Sequence, residues 1–210
     1  MIINGQVGPQ SSTSSLAAGT QPAMRLGNMG EQIVSELHGK YYETCYRRAV
    51  YTASALAVSL PTTLNTTSTG LCLYNPVGSP VNLVILTASW GLNVVPTAAA
   101  VLSLATGYSA TAITTSSAAD TLKSAFVGVG GSGVGVAYKS VTLPSAATHH
   151  TILGSVGTAA TTAWPVIPIQ TYNVDGQIIL PPGAYCVFNS TAAQTSTQFY
   201  LSFSWEEVPV

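Results

Sequence analysis

The chain has 210 residues, and only 13 of them are charged (six Lys or Arg, seven Asp or Glu), which gives a formal net charge of −1. A hydrophobic content of 47% excludes disorder of the whole chain, and the weak net charge offers no basic field to hold a phosphate backbone, so we expect no direct nucleic-acid partner. Seven carboxylates and three histidines leave few groups for acid–base chemistry. We therefore expect a protein that is not an enzyme and needs no cofactor.

Hydroxyl side chains replace the missing charges. Ser and Thr together number 49, and no charged residue occurs from Ala49 to Ala119. Charged side chains normally guard sheet edges and keep monomers apart. The composition therefore predicts that much of the surface is covered by copies of this chain or by a partner.

Neither a membrane span nor a secretory signal is expected. The most apolar stretch, Val81–Val95, is 15 residues long and is interrupted by Asn and hydroxyl residues, whereas a spanning helix needs about 20 apolar residues. The first charge is Arg25, so the N-terminus lacks the basic region of a signal peptide. Three widely spaced cysteines without a CxxC indicate reduced, packed thiols, with neither a disulfide framework nor a metal site.

Composition divides the chain into an arm and a domain. Residues 1–30 are rich in Ser, Gly, Gln and Pro and predict an extended N-terminal arm, which orders on a neighbour or stays a frayed tail. Residues 31–210 are predicted to form a β-sandwich domain. Its entry segment, residues 31–54, is rich in tyrosine and charge, and we expect a short helix or turn there, followed by a strand.

The remainder of the chain is predicted to be almost wholly β. Short β-prone segments alternate with Pro-, Gly- and Asn-containing turns, and residues 197–207 place Phe199, Leu201, Phe203 and Trp205 on one face. The predicted strands are 69–75, 81–92, 101–108, 134–143, 177–180, 184–189 and 197–207.

This pattern predicts an all-β fold, an antiparallel β-sandwich of jelly-roll type with an extended N-terminal arm. Its core is predicted from the apolar positions of the strands. The predicted core residues are Leu73, Val84, Leu86, Leu102, Val136, Ile179, Val187 and Leu201.

A glycine-rich segment contains a literal GxGxxG at Gly128, Gly130 and Gly133. In a dinucleotide site such glycines let the backbone approach a pyrophosphate at a helix N-terminus. Here Val134–Ala137 continues as strand, and no acidic residue follows at the required distance. We expect a flexible loop or hairpin.

The remaining polar candidates do not assemble a catalytic motif. His149 and His150 are adjacent, so a strand would point them to opposite faces, and we expect a surface or loop pair without a metal. The acids Asp120, Asp175 and Glu206–Glu207 are scattered, and Asp175–Gly176 is typical of a turn.

Tyrosines and arginines cluster in the entry segment. Tyr and Arg are enriched at interface cores because they offer large amphipathic area and rigid donors. The alternative is that the rings of these tyrosines pack beneath the sandwich while their hydroxyl groups contact water. The candidate interface residues are Tyr41, Tyr42, Tyr46, Arg47, Arg48 and Tyr51.

Several segments resemble a group of tailed-bacteriophage structural proteins: VSELHGKYYE (34–43), GLCLYNPVGSPVNLVIL (70–86), LPPGAYCVFNS (180–190) and SWEEVP (204–209). Size, arm and predicted sandwich are most similar to capsid cement, or decoration, proteins. The resemblance implies a homotrimer on the outer capsid surface of the virion, assembled in the host cytoplasm, that bridges major capsid proteins and has no membrane partner.

A tail-fibre or spike protein, or a receptor-binding module for carbohydrate, is the alternative to the cement role. Sugar sites present an aromatic face beside polar side chains. Trp90 and Trp205 are predicted to be in the core, which leaves Trp164 as the candidate tryptophan for such a site.

Overall fold

The chain is described by a computed structural model over residues 5–6, 24–25, 39–60, 64, 66–94, 96, 99–115, 122–128, 132–157, 169–191 and 198–210. It forms two compact units, Met1–Tyr42 and Glu43–Val210.

The first unit contains a short parallel ladder. Strand β1 (Gly5–Gln6) pairs with β2 (Met24–Arg25). The rest of the arm predicted over residues 1–30 lies outside the described residues. Near the end of this unit the Lys40 Nζ lies 5.1 Å from the centre of the Tyr41 ring.

The second unit is built almost entirely from strands. A five-residue helix, α1 (Tyr42–Tyr46), spans the boundary between the units and precedes the long strand β3 (Val50–Val58). The further strands are β4 (Thr67–Ser68), β5 (Cys72–Tyr74), β6 (Val81–Leu92), β7 (Ala100–Tyr108), β8 (Thr114–Thr115), β9 (Lys123–Ser124), β10 (Val136–Tyr138), β11 (Val141–Thr142), β12 (Thr148–Val156), β13 (Gln170–Asn173), β14 (Ile179–Leu180), β15 (Ala184–Ser190) and β16 (Phe199–Pro209).

These strands form three antiparallel sheets. The six-stranded sheet has the order β13-β6-β16-β3-β9, with β14 also paired to β6. The five-stranded sheet has the order β10-β5-β15-β7-β12. The three-stranded sheet has the order β4-β11-β8.

The main core lies between the six-stranded and five-stranded sheets. Strand β16 directs Phe199, Leu201, Phe203 and Trp205 into it, as its alternation predicts, because successive side chains of a strand point to opposite faces. The rings of Phe203 and Phe188 meet across the layers, with centroids 4.7 Å apart. This packing confirms the predicted all-β sandwich, whereas the jelly-roll connectivity stays a prediction.

A second, smaller core covers the other face of the five-stranded sheet. Cys72, Tyr185 and Val187 pack there with Val141 of the three-stranded sheet. A side chain at Gly107 would collide with the Tyr185 ring, so the glycine makes room for the aromatic residue. Because apolar groups meet it from both sides, β15 is buried along its whole length.

Three residues that were predicted to lie in the core are not buried there. Ile179 was expected in the core but is 55% exposed, because its neighbours Ile178 and Leu180 take the inward positions. Val84 and Val136 are half-buried rather than core residues. The other predicted core residues, Leu73, Leu86, Leu102, Val187 and Leu201, are buried.

Within the part of the chain that the structure describes, no helix has the length and apolar character that crossing a membrane would require.

Candidate functional site

The entry segment forms a helix with an unusual C-terminus. The amide of Ala49 donates to the Thr44 carbonyl (3.0 Å) and the amide of Arg48 donates to the Cys45 carbonyl (2.9 Å), which is a Schellman motif. Arg48 therefore occupies the left-handed position, with φ of 61°, where glycine is usual. The helix covers residues 42–46 and the strand begins at Val50, which is the predicted order of a short helix followed by a strand.

The tyrosine and arginine cluster divides between surface and core. In the second unit Tyr46 is exposed and meets Phe126 edge-on, with ring centroids 5.9 Å apart. Arg47 and Arg48 are also exposed. Tyr51 is only 6% exposed and lies in the main core, 6.3 Å from the Trp205 ring. Of the predicted interface residues, Tyr51 is therefore a core side chain in this chain.

Tyr41 and Tyr42, the remaining cluster members, belong to the first unit. Tyr41 is half-buried and Tyr42 is exposed. The amide of Tyr42 donates to the carbonyl of Gly39 (2.9 Å).

The backbone of the glycine-rich segment donates hydrogen bonds to the carboxylate of Glu207, a residue of the same chain. The amides of Val134 and Gly135 each donate to the Glu207 carboxylate over 2.8 Å. A Cβ at Gly133 would lie 2.8 Å from Glu207 Oε1, so a side chain there would displace the carboxylate from its present position. These amides are thus engaged with β16, and the chain continues from Val136 as strand, as predicted. Gly130 lies outside the described residues.

The histidine pair lies on an edge strand. Both side chains are exposed on β12, where the pairing with β7 shifts register after His149. His149 Nδ1 lies 2.8 Å from Ser103 Oγ, and His150 Nδ1 lies 2.9 Å from Thr151 Oγ1. No group of three or more His, Cys, Asp or Glu side chains that could hold a metal occurs among the described residues.

The acids and thiols serve local structure. Asp175 and Gly176 both have positive φ (47° and 82°), and the amide of Gln177 donates to the Val174 carbonyl over 3.0 Å, which is the geometry of a type I′ turn. Cys72 and Cys186 are buried on neighbouring strands but belong to opposite faces of their sheet, and both thiols are free.

Two residues that were singled out in the sequence, Asp120 and Trp164, lie outside the described residues.

The outer face of the six-stranded sheet carries an ordered set of uncharged polar side chains, here called the neutral face. Its members occupy matching register positions on four adjacent strands and form two parallel rows. One row is Ser54, Ser202, Ser89 and Thr171, and the other is Thr52, Ser204, Thr87 and Asn173.

Hydrogen bonds join neighbours within these rows. Thr87 Oγ1 and Ser204 Oγ are 2.6 Å apart, and Ser89 Oγ and Thr171 Oγ1 are 3.0 Å apart. Such lateral bonds order the hydroxyls before any partner arrives. The eight side chains of the neutral face are thus pre-ordered and uncharged, while the exposed Lys123 on β9, which pairs with Thr52, adds a charge at the end of one row.

An apolar row borders the neutral face. Leu56 on β3 is 65% exposed and Ile169 beside β13 is 69% exposed. Between them Tyr200 projects from β16 and donates its hydroxyl hydrogen to Asn93 Oδ1 over 2.7 Å. At the opposite end of β16 the next outward residue after Ser204 is Glu206. A low content of charged residues is a feature that this surface shares with the cores of protein interfaces.

A groove opens at one end of the sandwich. It encloses about 440 Å³ between the ends of β7 and β12 and the segment that carries β14. Tyr108, 63% exposed, is its aromatic residue. From the sequence, only a tryptophan was predicted to serve a sugar site, whereas the aromatic residue of this groove is a tyrosine at the end of a predicted strand.

Comparisons of the chain with protein-family models, with curated proteins and with solved structures find no match.

Proposed function

We propose that this chain is a non-enzymatic structural protein of a phage virion, which cements or decorates the capsid by bridging major capsid proteins. The neutral face is the observation that carries this proposal. A protein partner can cover its eight uncharged side chains without desolvating a charge, and burying unpaired charges is costly. The adjoining apolar row adds the surface whose burial drives association.

Several contacts per assembly would strengthen such binding. Once one copy in a trimer touches the shell, the others meet their sites at a raised effective concentration, so weak individual contacts suffice. The resemblance in sequence supplies the identity of the partner, and the neutral face supplies a surface on which it would dock. The exposed Tyr46, Arg47 and Arg48 are candidates for further contacts.

The proposal is tested on virions and shells of the phage that encodes the chain. Antibodies raised against the chain are expected to label the capsid at regular positions in electron micrographs. Labelling at the tail tip would instead favour a fibre or spike protein, and virions without label would contradict any structural role in the particle.

A charge placed in the neutral face tests its part in docking. Ser202→Arg sets an arginine between Ser54 and Ser89 and is expected to reduce co-sedimentation with shells at least about tenfold, which corresponds to about 1.4 kcal/mol. Thr142→Arg, on an exposed position of the three-stranded sheet, is the matched control and should bind as the unmodified chain does. Equal binding by both variants would show that the neutral face does not dock.

The groove beside Tyr108 favours a second candidate, a carbohydrate-binding module of a phage tail or spike. The two candidates differ in where the chain binds: to a shell through the neutral face, or to a glycan through the groove.

A further inference from the structure

The two walls of the groove come from different parts of the fold. Thr106 and Tyr108 from β7 and His150 from β12 form one wall, on the end of the five-stranded sheet. Gln177, the last residue of the type I′ turn, and Ile179 of β14 form the other. Its volume of about 440 Å³ falls within the range of small-molecule sites, roughly 300–1,000 Å³.

Tyr108 is held in place although its ring faces solvent. It is the last residue of β7 and pairs with Ala184, while the amide of Ser109 donates to the Gly183 carbonyl over 3.1 Å. A Cβ at Gly183 would lie 3.3 Å from Tyr108 Cε2, so the ring rests against the backbone of this glycine. The tyrosine therefore presents a positioned aromatic surface, which lowers the ordering cost of binding a ligand.

The lining residues include no Asp, Glu, Lys or Arg. Hydroxyls, an amide and an imidazole supply its polar atoms, and Ile179, 55% exposed, adds apolar surface. An anionic ligand would find neither Lys nor Arg among the lining residues. A wholly apolar ligand would desolvate the Gln177 amide and the threonine hydroxyls without replacing their hydrogen bonds.

We propose that this groove binds a neutral saccharide. The apolar C–H face of a pyranose packs on the Tyr108 ring, and its hydroxyls exchange hydrogen bonds with Gln177, His150 and Thr106. An exposed ring beside a few convergent polar groups matches the amphipathic character of such a sugar. This site is separate from the neutral face and does not depend on shell binding, and it assigns the ligand class on which the second candidate function rests.

The test uses the full chain and an array of neutral and sialylated glycans, followed by calorimetric titration with the best neutral glycan. Tyr108→Ala is expected to weaken binding at least about tenfold, that is, by about 1.4 kcal/mol. Tyr108→Phe keeps the ring and should bind within about threefold of the unmodified chain, since only the hydroxyl is removed. Gln177→Ala should weaken binding without abolishing it.

Tyr200→Ala is the matched control, because it removes another exposed tyrosine, one that does not line the groove, and it should bind the glycan as the unmodified chain does. No binding to any neutral glycan, binding to sialylated glycans alone, or full binding by Tyr108→Ala would each overturn the proposal. Loss of binding in both Tyr108→Phe and Tyr200→Ala would overturn it too, because the ring would then not be the cause. Shell co-sedimentation of the same variants reports separately on the cement role.

Discussion

Asn75 is the residue that joins the two large sheets at one end of the sandwich. It follows β5 of the five-stranded sheet, is completely buried, and donates from Nδ2 to the carbonyls of Val81 (2.7 Å) and Leu180 (2.9 Å) in the six-stranded sheet. A single amide group thus satisfies two carbonyls from different strands. Buried polar atoms without such partners are costly, so this residue has a defined structural role.

We expect Asn75→Ala to lower the free energy of unfolding by about 2–3 kcal/mol, because it leaves two carbonyls without their donor and opens a small cavity. Urea denaturation measures the change. Asn173→Ala, which removes the same group from an exposed position on β13, should stay within about 0.5 kcal/mol of the unmodified chain. Equal losses in the two variants would show that the bridge across the layers does not matter.

The two buried thiols make stability depend on alkaline pH. Burial raises the pKa of both Cys72 and Cys186 above that of an exposed thiol, and the nearby Cys186 thiol raises the pKa of Cys72 further. Both groups are neutral in either state near pH 7, and an unfolded thiol is half ionised at about pH 8.5. Above that pH the unfolded chain loses protons that the folded chain keeps, so stability falls as pH rises.

Urea denaturation in reducing buffer between pH 7 and pH 9.5 should therefore show a constant free energy of unfolding up to about pH 8, followed by a decline. Two thiols set a limiting slope of about 2.7 kcal/mol per pH unit. The double variant Cys72→Ala and Cys186→Ala should have a lower stability at pH 7 but a much flatter profile. A decline of unchanged steepness in the double variant would assign the effect to other groups.

At the scale of elements, Glu207 fixes the glycine-rich segment to the last strand. Its carboxylate accepts from the Val134 and Gly135 amides, and Trp205 Nε1 lies 3.4 Å from Oε1. The position of β10, which begins at Val136, follows from this contact. Glycines serve here for the reason that they serve in phosphate-binding loops, since they let the backbone come close to an anion.

Glu207→Gln should lower the free energy of unfolding by about 1.5–3 kcal/mol, because hydrogen bonds to a charged group are lost and the new amide hydrogens face the Val134 and Gly135 amides. Hydrogen exchange of those two amides should accelerate by more than the change in global stability requires. Glu206→Gln is the control one residue away on the outer face, with an expected change below about 0.5 kcal/mol. Unchanged protection of both amides in Glu207→Gln would contradict the anchoring role.

The edge strands of the two large sheets are protected from pairing with another chain by means other than charged side chains. Strand β12, the longest edge, has two register shifts along β7, after His149 and after Ile152. The other edges of the two large sheets are short: β9 has two residues, β10 has three and β13 has four. Bulged and short edges pair poorly with another chain. Along these described edges, bulges and short strand length thus take the place of the charged side chains that usually prevent pairing with another chain.

The sequence was most informative where one face of a strand is solvated. Strand β16 was predicted from its period of two, and the turns on either side of β6 and β15 marked those buried strands. Strand β12 was missed, because an exposed edge with two bulges keeps no regular alternation. The neutral face was missed for another reason: its rows assemble from four strands that are distant in sequence, and their register is set only by tertiary pairing.

At the scale of the whole molecule, charge scarcity and the neutral face together bear on assembly. The second unit has a long uncharged run from Ala49 to Ala119, and its broad outer face offers hydroxyls beside Leu56, Tyr200 and Ile169. An interface made from such groups has few charges to pair or to screen. Its strength should therefore come from apolar burial and neutral hydrogen bonds, both of which depend weakly on ionic strength.

Light scattering after size exclusion should give the purified full chain a mass of three times 21.6 kDa, the mass of one chain. The trimer should persist when salt is raised from about 0.05 M to about 1 M, because screening acts on charged contacts and this surface has almost none. A trimer that dissociates in salt would place the self-contacts at the exposed Arg47 and Arg48 rather than on uncharged surface. A stable monomer would contradict self-association altogether.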